Sequence, residues 1–150
     1  MAIHDVDCKL AVARPGDVPW IPLQCSYQGF QDVIFYKGQF YAVTETGRIV
    51  VCRIGDRLEN TSPKDSSVMH FLQYPQMETS FYLVERLGEL LLLVSRFPDK
   101  VVPETGRFKI YKLNLRKESW CELMTFGEHA LFLGINTSVA LLASDLEFSV

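Results

Sequence analysis

The hydrophobic positions in residues 30–54 fall into three short runs, separated by two polar segments that each contain a glycine. The runs span residues 32–36, 39–43 and 49–54, and the glycines are Gly38 and Gly47. β-Branched and aromatic residues, which favour strands, fill the runs. Glycine supplies the positive φ that a tight turn requires. The pattern therefore predicts three antiparallel strands in up-and-down order.

Both faces of these predicted strands are apolar. In the second run Phe40 and Ala42 point to one face, while Tyr41 and Val43 point to the other. A strand with apolar side chains on both faces has to be covered on two sides. We therefore expect a small sheet that is packed between two similar sheets.

The rest of the chain shows the same arrangement of runs and turns. Residues 8–23 predict a hairpin that turns at Arg14-Pro-Gly-Asp17 and carries Trp20 on its second strand. Residues 80–97 predict two strands around the turn Leu87-Gly88. Further strands are predicted at residues 68–73, 108–115, 119–124, 130–134 and 138–143, with loops at 55–67 and 98–106.

Similar segments recur about 50 residues apart. Gly38-Gln-Phe-Tyr corresponds to Gly88-Glu-Leu-Leu, and Trp20 corresponds to Trp120 two periods later. Four strands per unit, with a tryptophan after a charged hairpin, are typical of a kelch-like β-propeller blade. We predict a half blade at 8–29, full blades at 30–77 and 78–128, and a half blade at 129–150.

These units add up to about three blades, whereas closed propellers contain typically four to eight. An open arc would leave two apolar sheet faces uncovered, and such faces bind partners or aggregate. The predicted fold is therefore an all-β, kelch-like and incomplete propeller, with self-association through uncovered blade faces as one expectation. A fragment, a truncated product that depends on a second chain, and a repacked arc all agree with the sequence.

Composition and charge narrow the classes of partner. The chain has 150 residues, 48% hydrophobic and 22% charged, which fits one globular domain. Its net charge of -3 comes from scattered residues with no basic stripe, so no nucleic-acid partner is expected. Residues 90–94 form an apolar run too short to span a bilayer, and the first residues carry no hydrophobic signal. We expect no membrane partner and an intracellular location, cytoplasmic or nuclear.

The residues that could carry chemistry are scattered. The four cysteines, Cys8, Cys25, Cys52 and Cys121, show no CxxC spacing, and we expect them to be reduced and mostly buried. The histidines His4, His70 and His129 lie in three segments, none beside a Ser, Cys or carboxylate in a triad or ligand pattern. We predict no catalytic residue, no cofactor and no metal site, and hence not an enzyme.

Three sets of residues are candidates for contacts with a partner. Arg48, Arg53, Arg107 and Lys112 recur at matched positions and either line a shared face or channel or are simply solvated. Trp20 and Trp120 are either interface anchors or part of blade packing, which their matched positions favour. The loops at residues 55–67 and 97–105 differ from each other in sequence, whereas the strands around them are alike. Loops on β scaffolds often carry contacts.

Five consecutive motifs carry a resemblance to a known family. They read CKLAVARPGDVPW, FQDVIFYKGQFYAV, YLVERLGELLLLVSR, FKIYKLNLRKESWCEL and FGEHALFLGINTS. Over residues 8–145 they resemble, in the same order, the C-terminal half of the kelch-like β-propeller domain of plant F-box proteins of the KIB type.

The resemblance implies a role in protein recognition. In that family the propeller follows an F-box and is taken to recognise a protein that an SCF-type ubiquitin ligase then modifies, and no catalytic residue is implied. No F-box helical bundle precedes Cys8, so we expect a substrate-binding propeller without the F-box. The alternative is a truncated structural remnant with no independent activity.

Overall fold

A computed structural model describes most of the chain. It covers residues 1–4, 7–16, 18–23, 25–52, 79–96, 107–114, 116–117, 119–134 and 137–146. The described residues form twelve β-strands and a single 3-10 turn at Ala143–Asp145, with no α-helix among them. The all-β fold class predicted from the sequence is therefore confirmed.

The strands form four antiparallel sheets in which each strand pairs with its neighbour in the chain. The strands are β1 (Ala2–His4), β2 (Lys9–Val12), β3 (Ile21–Pro22), β4 (Phe30–Tyr36), β5 (Gln39–Thr44), β6 (Ile49–Cys52), β7 (Thr79–Arg86), β8 (Glu89–Arg96), β9 (Arg107–Asn114), β10 (Ser119–Leu123), β11 (His129–Phe132) and β12 (Val139–Leu142). The sheet orders are β1-β2-β3, β4-β5-β6, β10-β9-β8-β7 and β11-β12.

The chain divides into two compact units, residues Met1–Gln76 and Met77–Val150. The first unit contains the β1–β3 and β4–β6 sheets, and the second contains the β7–β10 and β11–β12 sheets. Each unit therefore combines two sheets, and each has its own buried cluster of apolar side chains.

In the first unit, one face of the β4–β6 sheet packs with the β1–β3 sheet. Ala42 on β5 lies opposite Val50 on β6, and both belong to one buried cluster with Cys52. Leu10 and Val12 on β2 belong to the same cluster. Alternation along β2 and β5 thus supplies the apolar side chains of this core.

The opposite face of β5 and β6 is buried as well. Tyr41 and Val43 on β5, and Ile49 and Val51 on β6, are at most 7% exposed. Side chains that alternate between two buried faces require apolar residues at every position. The prediction that these strands are covered on both sides is therefore confirmed.

Backbone hydrogen bonds at Gly29 join three segments of the first unit. The Gly29 N–H donates to the Asp7 carbonyl at 3.1 Å, and the Gly29 carbonyl accepts from the Glu45 N–H at 2.7 Å. The neighbouring Phe30 N–H donates to the Cys8 carbonyl at 3.0 Å. The start of β4 is therefore tied both to the turn before β2 and to the turn after β5.

In the second unit, β8 is the most deeply buried strand. Its four leucines, Leu90 to Leu93, are all 0% exposed. Leu91 and Leu93 form a buried cluster with Val84 on β7, and Leu131 and Ala140 from the β11–β12 sheet pack against it. The β11–β12 sheet therefore covers one face of the β7–β10 sheet.

Two hairpins turn through residues with positive φ. Tyr36 pairs with Gln39 and Arg86 pairs with Glu89, so each turn has two residues. The φ angles are 45° and 80° at Lys37 and Gly38, and 50° and 75° at Leu87 and Gly88. Two successive positive φ angles are typical of a type I′ turn, which matches the twist of the strands. The first residue of each turn, Lys37 or Leu87, has a Cβ and is therefore strained at positive φ.

Leu87→Asn should raise the free energy of unfolding by about 0.5–1 kcal/mol, because asparagine tolerates the left-handed region better than leucine. Leu87 is 77% exposed, so little packing is lost. Chemical denaturation checks the change. Leu87→Ala serves as the control, since alanine keeps the strain; an equal gain in both variants would contradict a backbone origin.

The structure differs from the sequence prediction at the first hairpin. It contains an additional strand, β1, which pairs Ile3 with Leu10. Trp20 lies just before β3 instead of on it. β1 has only three residues, too few to show the alternation from which strands are predicted. Its pairing with β2 stabilises it. The strand predicted at residues 68–73 lies outside the described residues.

The prediction that the cysteines are mostly buried is wrong. All four are free, but Cys121 is exposed, and Cys8 and Cys25 are partly exposed. Cys121 lies on β10, the edge strand of its sheet, which leaves its side chain in solvent. Only Cys52 is buried, and burial, followed by the nearby Cys25 thiol, raises the pKa of Cys52 to about 12.

Candidate protein interface

The connection between β2 and β3 presents apolar side chains to solvent. We call Val18-Pro19-Trp20 the VPW segment. Val18 is 96% exposed and Trp20 is 56% exposed, and Pro19 between them is also exposed. Adjoining apolar side chains that are exposed on a loop can bind an apolar surface of a partner. The VPW segment is therefore the candidate contact surface of the first unit.

The strands that flank the VPW segment hold its two ends. Val12 pairs with Ile21, and the Leu23 N–H donates to the Leu10 carbonyl at 2.9 Å. Val12 and Leu23 are buried in the core of the unit. The exposed segment thus begins and ends on strands whose side chains are fixed by packing.

A turn and two prolines shape the connection itself. Pro15 is followed by Gly16 with φ of 94°, which is the residue pair of a type II turn. Pro19 and Pro22 lack a backbone N–H, and Pro22 lies on the edge strand β3. A proline on an edge strand prevents further strands from pairing there. The local sequence therefore favours side-chain contacts over sheet extension.

The two tryptophans, predicted to share a packing role, differ in the structure. Trp120 lies on β10 opposite Leu113 and is half-buried, in agreement with packing. Trp20 is mostly exposed, so the packing interpretation is wrong for this residue. The signal that sequence reasoning missed is the pair Pro19 and Pro22, which disfavours a central strand around Trp20.

The cations predicted to recur at matched positions do not share one environment. The Arg48 guanidinium stacks over the Tyr27 ring at 4.6 Å in the first unit. Lys112 donates a hydrogen bond to Glu89 in the second unit. Arg53 and the side chain of Arg107 lie outside the described residues. Both described cations are partly exposed and each has a local partner, and the choice between a shared face and solvated positions stays a prediction.

Glu89 is the centre of a small polar cluster at the β7–β8 hairpin. Its carboxylate accepts hydrogen bonds from Lys112 Nζ and from Arg86 Nη2, the latter at 3.2 Å. Arg86 Nη1 also donates to the Phe126 carbonyl at 3.1 Å, and its guanidinium stacks over the Phe126 ring at 5.0 Å. The hydrogen bond from Lys112, followed by that from Arg86, holds the pKa of Glu89 below its ordinary value of 4.5.

This cluster predicts a specific pH dependence. A carboxyl group with a lowered pKa in the folded state stabilises the protein above pH 4.5, and this contribution is lost as the pH falls through the folded-state pKa. Glu89→Gln should therefore flatten the dependence of unfolding free energy on pH below 4.5. Denaturation at several pH values checks this. Lys112→Gln should weaken the same dependence, and an unchanged slope in Glu89→Gln would contradict the assignment.

Most of the predicted loop and histidine candidates are not described by the structure. The loops at residues 55–67 and 97–105, as well as His70, lie outside the described residues, as does the side chain of His4. His129 packs edge-on against Phe126 at 5.9 Å. Within the part of the chain that the structure describes, no three His, Cys, Asp or Glu residues are grouped to hold a metal ion.

No helix among the described residues is long and apolar enough to cross a bilayer.

Comparisons with known proteins agree with this architecture. A family model described as the KIB1-4 beta-propeller matches residues 1–149. An F-box protein of Arabidopsis thaliana is 28% identical over 99% of this chain and 41% of the relative's length. The F-box protein SKIP23 of the same plant is 28% identical over 97% of this chain and 38% of its own length. No solved structure shows a significant match.

The family match covers nearly the whole chain and confirms the predicted β-propeller resemblance. The chain spans about two fifths of the length of these relatives, 41% and 38%, in agreement with the predicted incomplete propeller. The division into blades at residues 30–77 and 78–128 stays a prediction. With its antiparallel sheets and this match over residues 1–149, the chain belongs to the KIB1-4 β-propeller family.

Proposed function

We propose that this chain is a protein-recognition module related to the substrate-binding propellers of plant F-box proteins, and that the VPW segment is part of its contact surface. The observation that carries the proposal is the exposure of Trp20 and Val18 beside a well-packed core. Tryptophan is enriched among the few residues that dominate binding energy at protein interfaces.

The surroundings of the VPW segment suit a protein partner. Arg14 is exposed within the same connection. Protein interfaces typically combine an apolar centre with a polar, solvent-accessible rim. A protein with an apolar pocket for the indole and polar groups around it would complement this arrangement.

The relatives also suggest a fate for the bound protein. Relatives that cover this chain are named F-box proteins. We infer that the propeller, when joined to an F-box, holds a protein for modification by an SCF-type ubiquitin ligase. Within that scheme this chain contributes binding and no chemistry of its own, inside the cell.

The proposal can be tested by transplanting the chain into a relative. Residues 1–150 replace the matching region of SKIP23, and the tagged chimaera is expressed in A. thaliana cells. Quantitative mass spectrometry then compares the proteins recovered by the wild-type chimaera with those recovered by Trp20→Ser. We expect a specific set whose recovery falls about tenfold or more in the variant, because a lost hot spot costs at least 1–2 kcal/mol.

Met124→Ser is the matched control, since Met124 is 93% exposed but lies in the second unit. A binding protein identified in this way is then titrated against the purified chain, and its ubiquitination is measured with the chimaera. Recovery that is equal in wild type and Trp20→Ser would remove the VPW segment from the proposal. Direct binding without ubiquitination would remove the ligase role and leave recognition.

A further inference from the structure

The last two strands form a thin and largely exposed element of the second unit. In the part of the chain that the structure describes, β11 and β12 pair as a two-stranded sheet. We call the described residues from 126 to 142 the β11–β12 cover. Every residue of the cover is at least partly exposed, whereas Leu90 to Leu93 on β8 are 0% exposed. A two-stranded sheet alone is marginally stable in water, so the cover depends on its contacts with the rest of the unit.

One side of the cover packs on an apolar cluster of β7 and β8. Leu131 and Ala140 are cross-strand partners, and both pack against the cluster that contains Val84 and Leu91. Phe126, which precedes β11, packs against the same cluster. Hydrophobic contacts stabilise this position but are not directional. They therefore hold the cover against the sheet without fixing its orientation.

Arg86 at the end of β7 supplies directional contacts to the cover. Its Nη1 donates to the Phe126 carbonyl at 3.1 Å, and its guanidinium lies 5.0 Å from the centre of the Phe126 ring. On the hairpin side, Nη2 donates to the Glu89 carboxylate at 3.2 Å. The Arg86 side chain is only 15% exposed, and a hydrogen bond from a charged donor is strong where water is largely excluded. Departure of the cover breaks the contacts to Phe126, while the bond to Glu89 can stay.

We propose that the β11–β12 cover opens and closes as one unit over the apolar cluster, and that Arg86 is the latch that keeps it closed. Elements with few buried contacts open at a lower free energy than the whole protein unfolds. The cover fits this description, and β8 beneath it does not. Arg86 is a positioning residue that acts through Phe126. The open form presents Val84 and Leu91 to solvent, so the latch determines how often this apolar surface is uncovered.

Native-state amide hydrogen exchange of residues 1–150 tests the separate opening without any variant. The Ala143 N–H, which donates to the Glu128 carbonyl at 2.8 Å, reports on the base of the cover, and the amides of Leu91 to Leu93 report on β8. We expect the Ala143 amide to exchange at least about tenfold faster than the β8 amides, after correction for their intrinsic rates. Equal protection of the two regions would overturn the separate opening.

Two variants test the latch. Arg86→Gln should raise the exchange rate of the Ala143 amide by about tenfold or more, because a lost hydrogen bond to a charged group costs at least that much. Phe126→Leu keeps the carbonyl and an apolar side chain but removes the ring under the guanidinium, so it should raise the same rate about twofold to fivefold. A rate in Arg86→Gln equal to that of wild type would remove the latch, and the Phe126 variant decides if Arg86→Gln does not fold.

Leu83→Val is the matched control on the same strand. Leu83 is 1% exposed, and alternation along β7 places its side chain on the face opposite to Val84, away from the cover. Its loss destabilises the sheet in the closed form and weakens it equally in the open form. The β8 amides should therefore exchange about threefold to tenfold faster, while the Ala143 rate stays unchanged. An equal rise at Ala143 and β8 in Leu83→Val would mean that the cover opens only when the whole unit unfolds, which contradicts the proposal.

Discussion

Replacing Leu93 with alanine should lower the free energy of unfolding by about 3 kcal/mol, the middle of the range for a buried leucine. Leu93 is 0% exposed on the central strand β8 and lies between Tyr82 on β7 and Ile110 on β9. Removing its side chain leaves a cavity that neighbours fixed in a sheet cannot easily fill. The same face of the sheet carries the β11–β12 sheet, so packing between the sheets weakens as well.

Chemical denaturation followed by tryptophan fluorescence checks this value. Leu87→Ala is the control, because Leu87 is in the same hairpin but is 77% exposed and should change stability by about 0.5 kcal/mol or less. A similar small loss at Leu93 would mean that the cluster of Val84, Leu91 and Leu93 is not a fixed core. A cooperative transition of the wild-type chain would also count against an inert, poorly folded remnant.

Gly29→Ala should destabilise the first unit by about 2 kcal/mol, from two separable causes. Gly29 has φ of 69°, where a residue with a Cβ is strained. The added Cβ would also lie 2.9 Å from the Glu45 side chain, which has to move away. Both effects act where the Gly29 backbone links the turn at Asp7 to the turn at Glu45.

A double variant separates the two causes. Gly29→Ala combined with Glu45→Ala removes the close contact and keeps the φ strain, so it should recover part of the loss measured relative to Glu45→Ala alone. Gly16→Ala is a second control, because Gly16 has φ of 94° and no atom within 4 Å of the added Cβ. Equal losses at Gly16 and Gly29 would mean that backbone strain alone accounts for the effect.

The strands could be predicted because local sequence determines them in this protein. The type I′ turn at Lys37-Gly38 and the one at Leu87-Gly88 have glycine at the second position, and β-branched and aromatic residues fill the runs between turns. The two-sided apolar pattern of β5 and β6 likewise has a direct physical meaning, since both faces are buried. Pattern and turn chemistry agree in these segments, and a prediction from either one reaches the same strands.

The exposure of individual side chains could not be predicted in the same way. Trp20 and Trp120 occupy matched places in the repeat, yet only Trp120 is paired within a strand. Exposure depends on which other segments cover a residue, and the repeat contains no information on that. Cys121 is a similar case, since its exposure follows from the position of β10 at the edge of a sheet.

The candidate contact surface was therefore recognised only in part. Sequence reasoning weighed Trp20 as an interface anchor and favoured packing, although Pro19 and Pro22 beside it argued for a loop. The hydrogen bond from Lys112 to Glu89 had no sequence signal, because the two residues lie 23 positions apart on different strands. Contacts across a sheet depend on register, which has to be known to within one residue.

The order of strands within each sheet also determines how the chain acquires its structure during synthesis. In the β10-β9-β8-β7 sheet every strand pairs with the one that precedes or follows it, so no pairing waits for a distant segment. Short loops close at low entropic cost, and low contact order favours rapid folding. The ribosome releases the chain from its N-terminus, and domains fold in that order. The β1–β3 sheet can therefore form while the residues of β11 and β12 are still being translated.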